Sequence, residues 1–211
     1  MANANRPSGF TPIRHITGSP WNGALEIFYH SASNASAIYK GSLVRGDQGL
    51  DNPLTDPLGI YQTCYVAADD FGLGVVGVAW SFGDTPQLGA QVSNLNAKNY
   101  CPASVGMYIG VITDHTVVFK IQDNGTAVSA SQIGDYFDTS NNAAGSTATG
   151  RTTCVLDADS LVASGGAGRI LKRVNRPDNE MASNADWEVL LEEHIFRRAY
   201  NSTAALTYGT T

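Results

Sequence analysis

Four histidines (His15, His30, His115, His194) and three cysteines (Cys64, Cys101, Cys154) are the side chains here best suited to hold a metal or move a proton. Their spacing does not suit either task. The histidines share no ligand spacing, HExxH is absent, and no Cys–His pair stands at zinc-finger distance. A Ser-His-Asp site assembles in space rather than along the chain, but no G-x-S-x-G elbow is present to announce one. Gly72-Leu73-Gly74-Val75-Val76-Gly77 matches the G-x-G-x-x-G pattern, whose glycines bring backbone N–H groups up to a pyrophosphate at a helix start. That motif needs a helix next, whereas Val78-Ala79-Trp80-Ser81-Phe82 reads as strand. It also needs a ribose-binding acid roughly 20 residues on, and residues 91–97 contain none. The run therefore reads as a buried glycine-rich strand. Asp157-Ala158-Asp159 and Asp69-Asp70 offer oxygens to Ca²⁺ but lack the spacing and glycine of an EF-hand loop. They read as turn carboxylates receiving backbone N–H groups. No catalytic, cofactor or metal site is expected, and the chain is read as a non-enzyme.

The elements that would position such groups are short. Charged residues make up 15% of the 211, well below the roughly one quarter usual in soluble domains, and Gly, Ala, Ser, Thr and Asn fill the difference. That composition suits strands joined by turns. Strands are expected over 25–30, 37–44 (Gly41 marking a bulge), 59–67, 72–82, 106–113, 116–122, 152–156 and 169–174. The runs 59–67 and 72–82 are apolar almost throughout, which implies burial on both faces. Residues 106–113 and 116–122 read as a hairpin turning at Asp114–His115. Residues 130–137 suggest one or two helical turns, and 45–58 and 138–150 read as surface loops. Residues 187–195 fit two patterns. Trp187, Leu191 and Ile195 share helical spacing behind a possible N-cap at Asp186, while Trp187, Val189 and Leu191 alternate as in a strand.

Residues 1–23 hold Pro7, Pro12 and Pro20, which exclude a helix and argue against a ladder strand. Phe10, Ile13, Ile16 and Trp21 make a disordered tail a poor description. An extended arm, docked on its own body or on a neighbour, is expected over 1–23. The body spans 24–200, and a second extended tail spans 201–211. Net charge is −6 with pI near 5.0, which argues against nucleic acid as main partner. No run approaches a membrane span, and the first residues lack the apolar core of a signal peptide. Three unspaced cysteines read as buried free thiols in a protein made in a reducing compartment.

Two further stretches carry a resemblance. Tyr100, Pro102, Ala103 and Ser104, then Val117, Phe119, Gln122 and Asp123, then Leu171, Val174 and Arg176-Pro177-Asp178-Asn179-Glu180 follow a pattern similar to a family of tailed-bacteriophage head proteins. These are the cement or decoration proteins, and the opening residues 1–21 are also similar. The resemblance implies an all-β protein, a compact β-barrel or β-sandwich with extended N-terminal and C-terminal arms, and a strand at 187–195. It implies a homodimer or homotrimer on the outer capsid surface of the virion, bound to the major capsid protein and bracing the head. Residues 175–180 read either as a hairpin connection or as a rigid loop whose Arg176 forks onto a neighbouring subunit's carboxylate. Phe10, Ile13 and Trp21 on the arm, with Arg176, Asp178 and Asn179, are the candidate partner-binding residues. The alternative is a minor virion protein: a head-fibre base, a connector or a glycan-binding adhesin.

Overall fold

A computed structural model describes residues 3–46, 56–67, 75–86 and 98–195. The expected tail 201–211, Asp69-Asp70, Gly72–Gly74 and most of the loop expected at 45–58 lie outside the described residues. The described chain is nearly all β, a sandwich of two antiparallel sheets with a small third sheet against one of them. One sheet has six strands in the order β1 (Thr11–His15), β9 (Val117–Gln122), β13 (Asp186–Leu191), β12 (Gly168–Arg173), β10 (Tyr136–Ser140) and β11 (Val155–Val162). The other has five: β2 (Glu26–His30), β8 (Met107–Ile112), β6 (Gly77–Gly83), β4 (Leu43–Gly46) and β5 (Cys64–Val66). The third pairs β3 (Ile38–Tyr39) with β7 (Tyr100–Cys101).

Side-chain alternation sorts the interior into two cores. Leu43, Val78 and Ile112 of the five-stranded sheet meet Phe119, Ile121, Phe137, Leu156, Ile170, Trp187 and Val189 of the six-stranded one. Phe28, Val44, Ala79, Phe82, Ile109 and Val111 point the other way, into a second core with Ile38 and Cys101 of the small sheet. The five-stranded sheet is thus covered on both faces, as its apolar runs require. Isolated parallel bridges, Tyr29↔Thr63 and Asp123↔Leu156, curl each sheet back towards itself without closing a barrel. The three cysteines are free and buried.

Several expectations change. Residues 106–113 and 116–122 do form strands, but not a hairpin. β8 pairs with β2 and β6, whereas β9 pairs with β1 and β13, so Asp114–His115 carries the chain from one sheet to the other. All six residues of β8 are buried, which calls for an interior position in a doubly covered sheet, whereas half-buried Lys120 interrupts β9 on its outer face. The Asp114 carboxylate shapes the corner by accepting the Thr116 N–H and hydroxyl at 2.8 and 2.7 Å.

The N-terminal segment is not simply an extended arm. It contains β1, which includes Pro12 and pairs with β9 through a bulge between Pro12 and Arg14. An edge strand tolerates proline because its outward N–H is not needed by the ladder. The run 37–44 splits at Gly41, which adopts φ +90° with its would-be Cβ facing backbone oxygens of Ser8 and Phe10. The strand expected at 59–67 shortens to Cys64–Val66. Residues 130–137 yield only a 3-10 turn, Ala130–Gln132, before β10 begins. The loop expected at 138–150 starts as strand, and Asn142 within it is fully buried. Its carboxamide accepts the Leu43 N–H at 2.7 Å and donates to the Leu43 and Ala67 carbonyls at 3.0 and 2.8 Å, standing in for a strand residue. The 187–195 ambiguity resolves as strand, with Trp187, Val189 and Leu191 facing the first core.

Candidate functional site

The Arg176–Glu180 loop, the ends of β9 and β13, and the N-terminal segment enclose a polar cleft of about 210 Å³. Asn3, Ala4, Arg6, Lys120, Gln122, Arg176, Asp178, Asn179, Asn184 and Asp186 line it. Three cations thus face two carboxylates.

Asp123 anchors the floor. Its Oδ1 accepts the Asn184 and Gly125 N–H groups at 2.7 and 3.0 Å, and its Oδ2 accepts the Ala185 N–H and Trp187 Nε1 at 3.0 and 3.2 Å. Burial still pushes this carboxyl above its ordinary value, against the pull of those four donors. Gln122 sits beside it. Its amide donates to the Ala4 and Asn184 carbonyls at 3.0 Å each, and its Oε1 accepts the Arg6 N–H at 2.8 Å. Asn3 receives the Glu180 N–H and donates to the carbonyls of Glu180 and Ser183. The N-terminal segment is therefore tied to the loop through backbone groups at both ends of the cleft.

Charges are shared across this face. Asp186 Oδ2 takes Arg176 at 2.8 Å and Lys120 at 3.6 Å, and Glu188 takes Arg14 at 2.8 Å and Lys172 at 3.4 Å on its two oxygens. Each acid is only slightly exposed, and two cations replace the water each gave up.

The sequence-predicted contact residues divide. Arg176, Asp178 and Asn179 do come together here, but Arg176 forks onto carboxylates of its own chain, Asp186 and Asp178. Asn179 is buried and structural. Its amide donates to the Val174 and Asp186 carbonyls and its oxygen accepts the Asp186 N–H, all at 2.9 Å, closing the hairpin connection between β12 and β13. Asp178 remains exposed. Phe10 is fully buried, edge-on to Phe119 at 5.9 Å, so it anchors the segment to its own core rather than to a neighbour. Half-buried Trp21 packs edge-on to Trp80 at 5.7 Å. Ile13, 38% exposed, is the bulged residue of β1 and Ile16, 50% exposed, lies just past the strand at the sheet edge; neither lines the cleft. Arg6, Lys120 and Asp186 went unsuspected. Only Lys120, the one charge in an otherwise apolar strand, carried a visible signal.

Among the described residues, Thr116, His15 and Asp114 bring triad residue types into contact. His15 Nδ1 lies 3.1 Å from Thr116 Oγ1 and 3.3 Å from Asp114 Oδ2. A triad needs the hydroxyl and the carboxylate on opposite ring nitrogens. Here both meet Nδ1, and the hydroxyl donates directly to Asp114, so the set is a structural corner. Burial alone would raise the Asp114 carboxyl, but the Thr116 donors and the nearby His15 and His115 outweigh it and hold it below its ordinary value. Asp157 and Asp159 lie within β11 rather than in a turn, and their carboxylates receive the Asn124 side-chain amide at 2.8 and 3.1 Å, with Asp157 also accepting the Asp159 N–H at 3.1 Å. No cluster of His, Cys, Asp and Glu suited to a metal occurs among the described residues.

No protein-family model, curated protein or solved structure matches this chain.

Proposed function

We propose that this chain is a non-enzymatic virion protein of the tailed-phage cement or decoration type. As a homodimer or homotrimer it binds the outer surface of the major capsid protein lattice and stabilises the head. One observation carries the reading. Three of the stretches on which the resemblance rests, 1–21, 117–123 and 171–180, are far apart in sequence yet share one hydrogen-bond network, while 100–104 lies apart at the small third sheet. Gln122 reaches 118 residues back to Ala4 and 62 residues on to Asn184, and Asn179 and Arg176 close the same cleft. Such a pattern is what a common architecture, rather than chance composition, would leave in the sequence. The surface chemistry also suits a brace. Charged residues are only 15% of the chain, which limits the desolvation cost of a broad interface, and exposed apolar side chains such as Ile13 and Ile16 add contact area at the sheet edge.

The test is the copy number of this protein relative to major capsid protein in purified virions, by quantitative mass spectrometry. A ratio near one, or a simple fraction of it, supports lattice-wide cementing. A few copies per particle would point to a connector or fibre base, and complete absence would overturn a virion role. Deleting 1–23 is a poor mapping tool, because it removes Phe10 and β1 from the fold. Ile13→Asp with Ile16→Asp leaves the core intact and is expected to weaken capsid co-sedimentation about tenfold, the scale of one lost apolar anchor.

A further inference from the structure

Away from the cleft, the chain crosses from β3 at Lys40 beside the segment holding Arg151, and the two residues form a parallel bridge, with Lys40 N–H donating to Gly150 O at 2.9 Å and Thr152 N–H to Lys40 O at 3.1 Å. Like charges on neighbouring backbones repel. No carboxylate among the described residues makes an ion pair with Lys40, Arg151 or Lys98. Lys98 belongs to the same neighbourhood, since the next residue, Asn99, stands against Gly150, where an added Cβ would meet its backbone.

Aromatic rings hold two of these cations in place. The Lys40 ammonium lies 4.1 Å from the centroid of Trp80, itself fixed edge-on by Trp21. The Lys98 ammonium lies 5.6 Å from the ring of Tyr100, which stacks on Tyr39 at 5.1 Å and 14°, with Gly145 packed against the Tyr39 ring. Cation–π attraction fixes position without neutralising charge. Burial and the neighbouring Arg151 lower the Lys40 ammonium below its ordinary value, as expected of two cations set side by side.

We infer that Lys40, Arg151 and Lys98 form a preorganised site for the carboxylates of an acidic protein surface. Three considerations select that chemistry. Arg151 brings a guanidinium that can fork onto a carboxylate. A net charge of −6 over the whole chain opposes a polynucleotide, which needs charge neutralised along its whole track. The ring faces already carry ammonium groups, which leaves little room for sugar stacking. The inference deepens the proposed function by naming the partner's chemistry, and rests on that reading only for the partner's identity.

The test uses the full chain and a glutamate decamer at low salt, with titration calorimetry and the indole N–H resonances as readouts. Saturable binding that moves the Trp80 resonance is expected. Lys40→Gln with Arg151→Gln should weaken it by about tenfold or more, and Lys98→Gln alone by a smaller factor. Lys172→Gln, on the ion-paired face, should leave it within about twofold. No saturable binding, or equal binding by the double variant with its fold intact, overturns the site. Tighter binding of a thymidine decamer than of the glutamate decamer overturns the carboxylate assignment. If the decamer binds as expected but the protein is absent from virions, the patch stands and the capsid reading falls.

Discussion

Single polar side chains hold this fold at points where its backbone ladders stop. Asn179 and Asn142 each combine donors with an acceptor to complete a backbone connection, a task neither Asp nor Leu can perform. Asn179→Leu is expected to cost about 1–3 kcal/mol in urea unfolding, since it strands the Asp186 N–H and takes one of two donors from each of the Val174 and Asp186 carbonyls. A cost under about 1 kcal/mol would mean water replaces them. Tyr108 and Asp56 form a pair that adds to the pH dependence of stability at both ends. The Tyr108 hydroxyl donates to Asp56 at 2.7 Å, and burial together with that bond pushes the phenol up to about 12. Burial alone would raise Asp56, but the Tyr108 hydroxyl and the Ile60, Tyr61 and Leu58 N–H groups outweigh it and hold it low. The two signs differ. The phenol's contribution is complete below pH 10 and is lost as pH rises from there to about 12. The carboxylate's contribution is present above its ordinary value near 3.8 and is lost as pH falls below it. Tyr108→Phe should therefore flatten the alkaline fall in stability, while Tyr29, also raised by burial, keeps part of it. The same substitution should shift the acid-side loss to higher pH, because Asp56 loses a donor. Urea midpoints measured across the pH range would show both effects.

At the level of strands, glycine matters for contact rather than for phosphate. A Cβ on Gly77 would lie 2.0 Å from the Ile112 carbonyl oxygen, where β6 approaches β8. Gly77→Ala should cost about 1–3 kcal/mol by forcing these strands apart. Unchanged stability would show that β8 yields freely. This spacing need is what the dinucleotide-like pattern records at its last glycine. The strand at 117–122 was readable because alternation is local and one of its faces lies in a core, whereas 187–195 fitted strand and helix spacing alike. Their partners were not readable, since pairing depends on residues up to a hundred positions distant. β8 and β9 look like a hairpin in sequence because a short polar turn joins them, and only their separate partners, β2 and β6 against β1 and β13, reveal a sheet crossing. Phe10 was misread as an outward anchor because neighbouring prolines suggest a free arm, whereas an edge strand accommodates them. Asn142 was lost in a polar stretch whose composition resembles a loop. For the cleft, Arg-Pro-Asp-Asn announced a rigid connection, but which carboxylate Arg176 meets depended on the outward side of β13.

For the molecule as a whole, the two cores share three strands. Leu43 and Val44, Val78 and Ala79, and Val111 and Ile112 are adjacent pairs that point into opposite cores. Neither core can loosen while the other keeps its wall. A single unfolding transition is expected, with Trp187 fluorescence and far-ultraviolet dichroism superimposing in urea. Separated curves would show that the small β3–β7 sheet melts with its own core first. The proposed capsid role fits a body of this kind, in which load applied at either face passes to the same central strands. The order of strands in the larger sheet has one more outcome. β13 lies in its interior, between β9 and β12, yet it is the last strand of the chain among the described residues. While the ribosome is still making residues 186–191, β9 and β12 must each wait with an open, hydrogen-bond-hungry flank. This sheet therefore assembles only once residues 186–191 have been made, and chains cut short before Asp186 should clump together rather than fold partway.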